Sequence, residues 1–161
     1  MHPHIEALFD DAESRYLKPE ELNILSQYVE SLPARLSAYR TLRDCELTVM
    51  QQVADQLQVE LAQEKIEHLE RALKNALLTL RYCAMGMLLN DESFVQERLM
   101  GWFSGTMRLY NSKAINTVLY RLLNQHLREV LGPQPMQILA PYLTLAQTLL
   151  YEQSAEPTST K

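Results

Sequence analysis

The stretch RALKNALLTLRYCAMGMLLNDES, Arg71 to Ser93, decides how this chain is read. With the residues just before it, Ile66, Leu69, Leu73, Leu77 and Leu80 recur at spacings of three and four. That is the period of a helix with one apolar face. The run carries no proline and ends near Leu89, where Asn90-Asp91-Glu92-Ser93 supplies turn chemistry and a fresh N-cap candidate. One long amphipathic helix in the middle of the chain sets the frame for its neighbours.

Working toward the N-terminus, Ala62-Gln63-Glu64 reads as a short turn. Ala34 to about Leu61 is a second long helix, with apolar positions Leu36, Tyr39, Leu42, Leu47, Met50, Val53, Ala54 and Leu57. At 1.5 Å per residue it is about 40 Å long. Ser31-Leu32-Pro33 reads as a junction with Pro33 opening that helix. A shorter helix before it starts at Pro19, has Glu20 and Glu21 in its first turn, and places Leu22, Leu25, Val29 and Leu32 on its buried side. Pro3 to Tyr16 is the first helix, with Ile5, Leu8, Phe9, Ala12 and Tyr16 on one face.

Toward the C-terminus, Val95 to Leu109 forms a helix around Trp102 and Phe103, with Gly101 and Gly105 spaced for close approach of another backbone. Asn111-Ser112-Lys113 breaks the chain, and Ala114 to Leu131 is helical up to the stop Gly132-Pro133-Gln134-Pro135. Met136 to Tyr151 is the last helix, with Pro141 in its first turn or kinking it. The expected organisation is a single domain over 1–152 and a flexible polar tail over 153–161. Seven or eight helices without a repeat or linker predict an all-α, globin-like fold with an N-terminal helical pair.

Composition agrees with that class. The chain has 161 residues, 47% of them hydrophobic, and only four glycines, enough to bury a core without staples. A net charge of −5 argues against a nucleic-acid partner. No apolar run reaches the ~20 residues of a transmembrane segment. MHPHIEALFDDAES lacks the charged and apolar regions of a secretory signal. Two cysteines, Cys45 and Cys83, make no disulfide framework. A cytoplasmic protein is expected.

Several short motifs, in matching order, resemble the phycobiliprotein (phycobilisome protein) family. Ala12-Glu13-Ser14-Arg15-Tyr16-Leu17-Lys18-Pro19-Glu20-Glu21-Leu22 is similar to the turn joining that family's two N-terminal helices. Leu80-Arg81-Tyr82, the Asn90-Asp91 turn, Val95-Gln96-Glu97-Arg98-Leu99 and Leu109-Tyr110-Asn111 follow in the family's order. The likeness runs from about Ile5 to Leu150. It implies a phycobiliprotein-type globin fold.

It also implies a pigment site, and here the chain departs. The family's Cys-x-Arg-Asp binds a bilin: the thiol forms a thioether, the arginine pairs a propionate, and the aspartate accepts from pyrrole nitrogens. Counting back nine positions from Arg81 puts Ala72, Lys74 and Asn75 there. Ala72 offers no nucleophile, Asn75 no carboxylate, and Lys74 a charge without the bidentate fork. The family's long loop before this helix is reduced to a few residues around Gln63. No covalent bilin is expected. A globin-like core can still leave a pocket for a non-covalent tetrapyrrole, with Arg71, Lys74 and Asn75 toward its propionates. Cys83 and Cys45 read as apolar fillers.

Other residue types add little chemistry. His2 and His4 lie at the terminus, while His68 and His126 read as surface residues, with no metal-ligand spacing. Met85, Met87, Met100 and Met107 with Trp102 and Phe103 read as core. Asp10-Asp11-Ala12-Glu13 reads as a wet helix face. No nucleophile elbow or phosphate loop is present, so a non-enzymatic protein is expected. The chromophore-free branch it resembles most, the bilin biosynthesis-associated globins, implies a role assisting or regulating bilin and tetrapyrrole biosynthesis in a photosynthetic cyanobacterium. The alternatives are a colourless structural or interaction subunit of the phycobilisome and a non-covalent tetrapyrrole sensor. A protein partner in either setting, or a second copy in a homodimer, would meet Leu8, Phe9, Leu22 and Leu25. Association with the outer thylakoid surface follows from the same resemblance.

Overall fold

A computed structural model describes residues 2–103 and 112–153. Among them are six helices and no strand: α1 (Pro3–Ala12), α2 (Pro19–Glu60), α3 (Ile66–Leu89), α4 (Glu92–Phe103), α5 (Lys113–Leu131) and α6 (Pro133–Glu152). The fold is all-α and globin-like. One contiguous core joins α2 to α6, including Leu57, Leu80, Met87, Leu99, Leu123 and Leu143. α1 packs on the first part of α2, where Ile5 and Leu8 are buried. No described helix is long and apolar enough to cross a membrane.

The expected break at Ser31-Leu32-Pro33 does not exist. α2 runs through it for 42 residues, about 63 Å of helix. A proline inside a helix removes the hydrogen bond to the carbonyl four residues back. For Pro33 that is Val29, and both residues are exposed, so water can take the place of the missing donor. Beside it, the Tyr28 carbonyl accepts from Ser31 Oγ at 2.9 Å and from the Arg35 guanidinium at 2.9 Å. Pro141 follows the same rule: it lies well inside α6, exposed, with Gln137 also exposed four residues earlier. α6 itself starts at Pro133, earlier than expected, because Gly132 at φ 77° turns the chain directly from α5.

Other differences are of register. Leu47 points to solvent, whereas Val49 is fully buried; two residues are 200° apart on a helix, so the stripe passes through only one of them. Leu22 and Val29 are exposed, and Leu25 and Leu32 half-buried. Of the methionine group, Met87 is core, Met85 half-buried and Met100 exposed. Met107, Gly105, Leu109 to Asn111 and, of the expected tail over 153–161, residues 154–161 lie outside the described residues. α4 begins at Glu92 rather than Val95 because Asp91 Oδ1 accepts from Ser93 N and Phe94 N.

The close approach expected at Gly101 falls at Gly86. A Cβ there would lie 2.5 Å from Val95 Cγ2 and 3.2 Å from both the Asp91 carbonyl and the Tyr142 ring, while at Gly101 it would meet nothing within 4 Å. Gly86→Ala is therefore expected to destabilise the protein by about 1–3 kcal/mol through overpacking. Gly101→Ala should stabilise it by about 0.5–1 kcal/mol through helix propensity. Urea denaturation of both variants checks the contrast.

Candidate functional site

Three helices, α2, α3 and the N-terminal α1, carry every residue the sequence singled out for binding. On α3 the positions separate. Ala72 is buried in the core beside Leu69 and Ala76, whereas Arg71 and Lys74 are exposed. Asn75 is half-buried, and its carbonyl accepts from Thr79 Oγ1 at 2.9 Å. Among the described residues, none of Arg71, Lys74 and Asn75 lines one of the four described cavities. The loop before α3 is confined to residues 61–65. At this point the methyl group of Ala72 occupies interior space.

The two thiols are both free. Cys83 is fully buried on α3 and donates to the Tyr142 carbonyl at 3.4 Å; burial pushes its pKa up to about 12. Cys45 is half-buried, and burial raises its pKa as well. Neither is set up as a nucleophile, which needs a lowered pKa and access. His68 is exposed near Glu64. His126 is a correction: it is only 5% exposed, and among the described residues neither ring nitrogen has a hydrogen-bond partner. Its position three and four residues past Leu123 and Leu122 puts it on the buried face of α5.

The N-terminal pair has the more distinctive geometry. Arg15 grips both oxygens of Glu21 at 2.8 Å and also Asp11 at 2.9 Å, while Glu21 accepts from Lys18 N at 2.7 Å. The Arg15 hydrogen bond, with help from Lys18 N, holds the Glu21 carboxyl down to about 2. This clamp fixes the elbow between α1 and α2. From it Tyr16 projects 99% exposed, and Phe9, Leu22, Ile24 and Val29 are exposed along the same hairpin. Of the expected partner residues, Phe9 and Leu22 face solvent, Leu25 is half-buried, and Leu8 is covered by its own chain.

Sequence reasoning missed two features. Arg35 is 3% exposed and donates to the carbonyls of Leu88 and Tyr28 and to Ser31 Oγ. Its signal was available: Arg35, Ala38 and Leu42 continue the three-four spacing of the buried stripe. The other is a cavity of about 470 Å³ between α2, α3 and α4. It lies further along α3 than Asn75, and its lining is scattered over the sequence.

Comparison with known proteins gives one family: the model described as Phycobilisome protein matches residues 8–149. No curated protein matches the chain.

The buried acids predict an alkaline limit to stability. Cys83 keeps its proton to about pH 12 when folded, against 9.0 for an ordinary thiol. Burial also raises Tyr120 and Tyr142. Above pH 9 the unfolded chain binds fewer protons than the native one, so unfolding becomes easier as pH rises. Stability is expected to change little in the neutral range from these groups. It then falls by about 1.4 kcal/mol per pH unit for each such group once its unfolded form ionises. Cys83→Ala should flatten the first part of that fall, between pH 9 and 10, in denaturation curves taken at each pH.

Proposed function

This chain belongs to the phycobilisome protein family, and from that premise we propose that it is a colourless, non-enzymatic member that works by docking another protein through its N-terminal hairpin. The observation that supports this is that Phe9, Leu22 and Val29 are uncovered on this hairpin, Leu22 and Val29 seven residues apart on one face of α2, with Tyr16 exposed at the tip. Single exposed hydrophobics are ordinary. Here Leu22 and Val29 share one face of α2 beside the elbow that Arg15 and Glu21 tie together, and apolar side chains gathered on one face mark an interface.

The absence of a covalent bilin rests on Ala72, which has no thiol and whose methyl is packed in the core. Two settings suit the docking surface. One is assembly with subunits of the phycobilisome; the other is assistance or regulation in bilin and tetrapyrrole biosynthesis, near the outer thylakoid surface or in the cytoplasm of a cyanobacterium. The inward-packed Ala72 and outward Lys74 favour the first, because they offer tetrapyrrole handling neither a thiol nor an inward-facing cation at that position. A homodimer through the hairpin is the competing use of the same surface.

The test is to produce the tagged protein in cells that make both heme and a bilin. Wild type is expected to sediment with intact phycobilisomes and to show no visible absorption that stays with the acid-denatured chain. Leu22→Glu together with Val29→Glu should abolish co-sedimentation while leaving the melting temperature nearly unchanged, since both side chains are already in water. Co-sedimentation that survives both charges would remove the hairpin from the interface. Pigment loss in a deletion strain, with phycobilisome assembly intact, would favour the biosynthetic setting instead.

A further inference from the structure

Arg35 carries a charge that its surroundings do not balance. It is 3% exposed, yet among the described residues no carboxylate lies within 4 Å of it. Its partners are neutral acceptors. Ser31 Oγ accepts from Nε at 3.1 Å, the Tyr28 carbonyl accepts from Nη2 at 2.9 Å, and the Leu88 carbonyl accepts from Nη1. A buried cation ordinarily has an anion beside it. The C-terminus of α3 offers about half a negative charge, and the rest of the guanidinium charge is left uncompensated.

The guanidinium also has donors to spare. It carries five N–H groups, and the three bonds take one from each nitrogen, so Nη1 and Nη2 each keep one. Arg35 lines a cavity of about 420 Å³ where α1 folds over α2, the end of α3 and α6. None of the residues around that cavity is acidic. Asp91, just past the stop of α3, spends Oδ1 on Ser93 and Phe94. Asn90 accepts from the Tyr142 hydroxyl through Oδ1, and His2 accepts from His4 N through Nδ1. Each therefore keeps a nitrogen able to donate to an anion. Gln27 adds an exposed amide, and Ile5 and Ile138 supply apolar wall.

We propose that this cavity binds a small oxyanion, the carboxylate or phosphate group of a small molecule, with Arg35 as the charged contact. His2, Gln27 and Asn90 are the neutral donors around it. The volume is within the range of small-molecule sites, and a guanidinium with two unspent N–H groups matches an anion with two acceptor oxygens. The donors come from the start of α1, from α2 and from the end of α3, so a bound anion fastens the hairpin to the helices behind it. The proposal stands on Arg35 and its cavity, and it does not depend on what the hairpin docks.

The experiment follows the Arg35 Nε–H resonance in isotope-labelled protein while inorganic phosphate or succinate is added. Sodium chloride at matched ionic strength is the control, and Arg35→Lys identifies the resonance by its loss. Phosphate, succinate or both are expected to shift it saturably at millimolar concentration or below, and chloride is not. Saturation by only one of the two assigns the site to phosphate or to carboxylate. Gln27 provides variants that spare the fold, because it is exposed. Gln27→Glu sets a carboxylate of the same size at the cavity and should weaken anion binding by at least about tenfold. Gln27→Lys should tighten it. Melting curves of both variants keep a folding defect separate.

A shift that rises in proportion to added salt and equals that in chloride overturns the proposal. Saturation with equal affinity in Gln27→Glu and Gln27→Lys also overturns it, by placing the anion elsewhere on the protein.

Discussion

The last turn of α3 holds this fold in register. Asn90 takes the left-handed conformation at φ 53°, and Asp91 N donates back to the Gly86 carbonyl at 2.9 Å, a helix stop that satisfies carbonyls otherwise left open. Three neighbouring helices, α2, α4 and α6, are fastened to that turn. Arg35 of α2 donates to the Leu88 carbonyl, and the Tyr28 hydroxyl reaches the Leu89 carbonyl at 3.3 Å. Tyr142 of α6 donates to Asn90 Oδ1 at 3.3 Å, and Asp91 caps α4. A guanidinium at a helix C-terminus also meets the negative end of the dipole, so a nearly buried cation is tolerated here without a carboxylate.

That junction explains why α2 can be so long. Pro33 leaves a gap in the hydrogen-bond ladder on the wet side of the helix, while Arg35 and Tyr28 anchor the dry side to α3. The part of α2 before Pro33 is thereby held as a rigid arm, and α1 folds back on it through Ile5 and Leu8. The elbow between them depends on charge. Glu21 contributes through its ionised form, so the clamp is present above the ordinary carboxylate pKa of 4.5 and lost as pH falls toward about 2. A docking surface on this arm is positioned by α3 and shaped by the clamp.

Much of this was legible in the sequence, and the exceptions share a cause. Helix boundaries marked by Pro19, Asn90-Asp91, Ser112 and Gly132 could be read because a cap or stop is a local matter. Pro33 misled because its tolerance depends on Val29 being wet and Arg35 being anchored, which is tertiary information. Gly101 and Gly86 look alike as residues; only the packing of Val95 and Tyr142 distinguishes them. His126 looked like a surface group from its polar neighbours Asn124 and Gln125, although the period of Leu119, Leu122 and Leu123 points inward. At the candidate sites, the missing thiol at Ala72 was readable, whereas Leu22, read as lying on the buried side of its helix, is exposed because α1 covers only part of that stretch of α2. The cavity was not, because Arg43, Arg81 and Arg98 approach one another only when α2, α3 and α4 cross.

Empty apolar space inside a protein costs about 24 cal/mol per Å³. Along the first half of α3 the small, buried Ala72 and Ala76 pack into the core. The second half behaves differently. Between Leu80 and Met85 a hollow of about 470 Å³ stays open, with Arg43, Arg81 and Arg98 at its rim. Arg81 is held by both oxygens of Glu46 and Arg43 is paired with Asp44. A packed interior at one end of α3 and an open hollow at the other follow from small side chains in its first half and long, ion-paired ones where α2 and α4 cross its second.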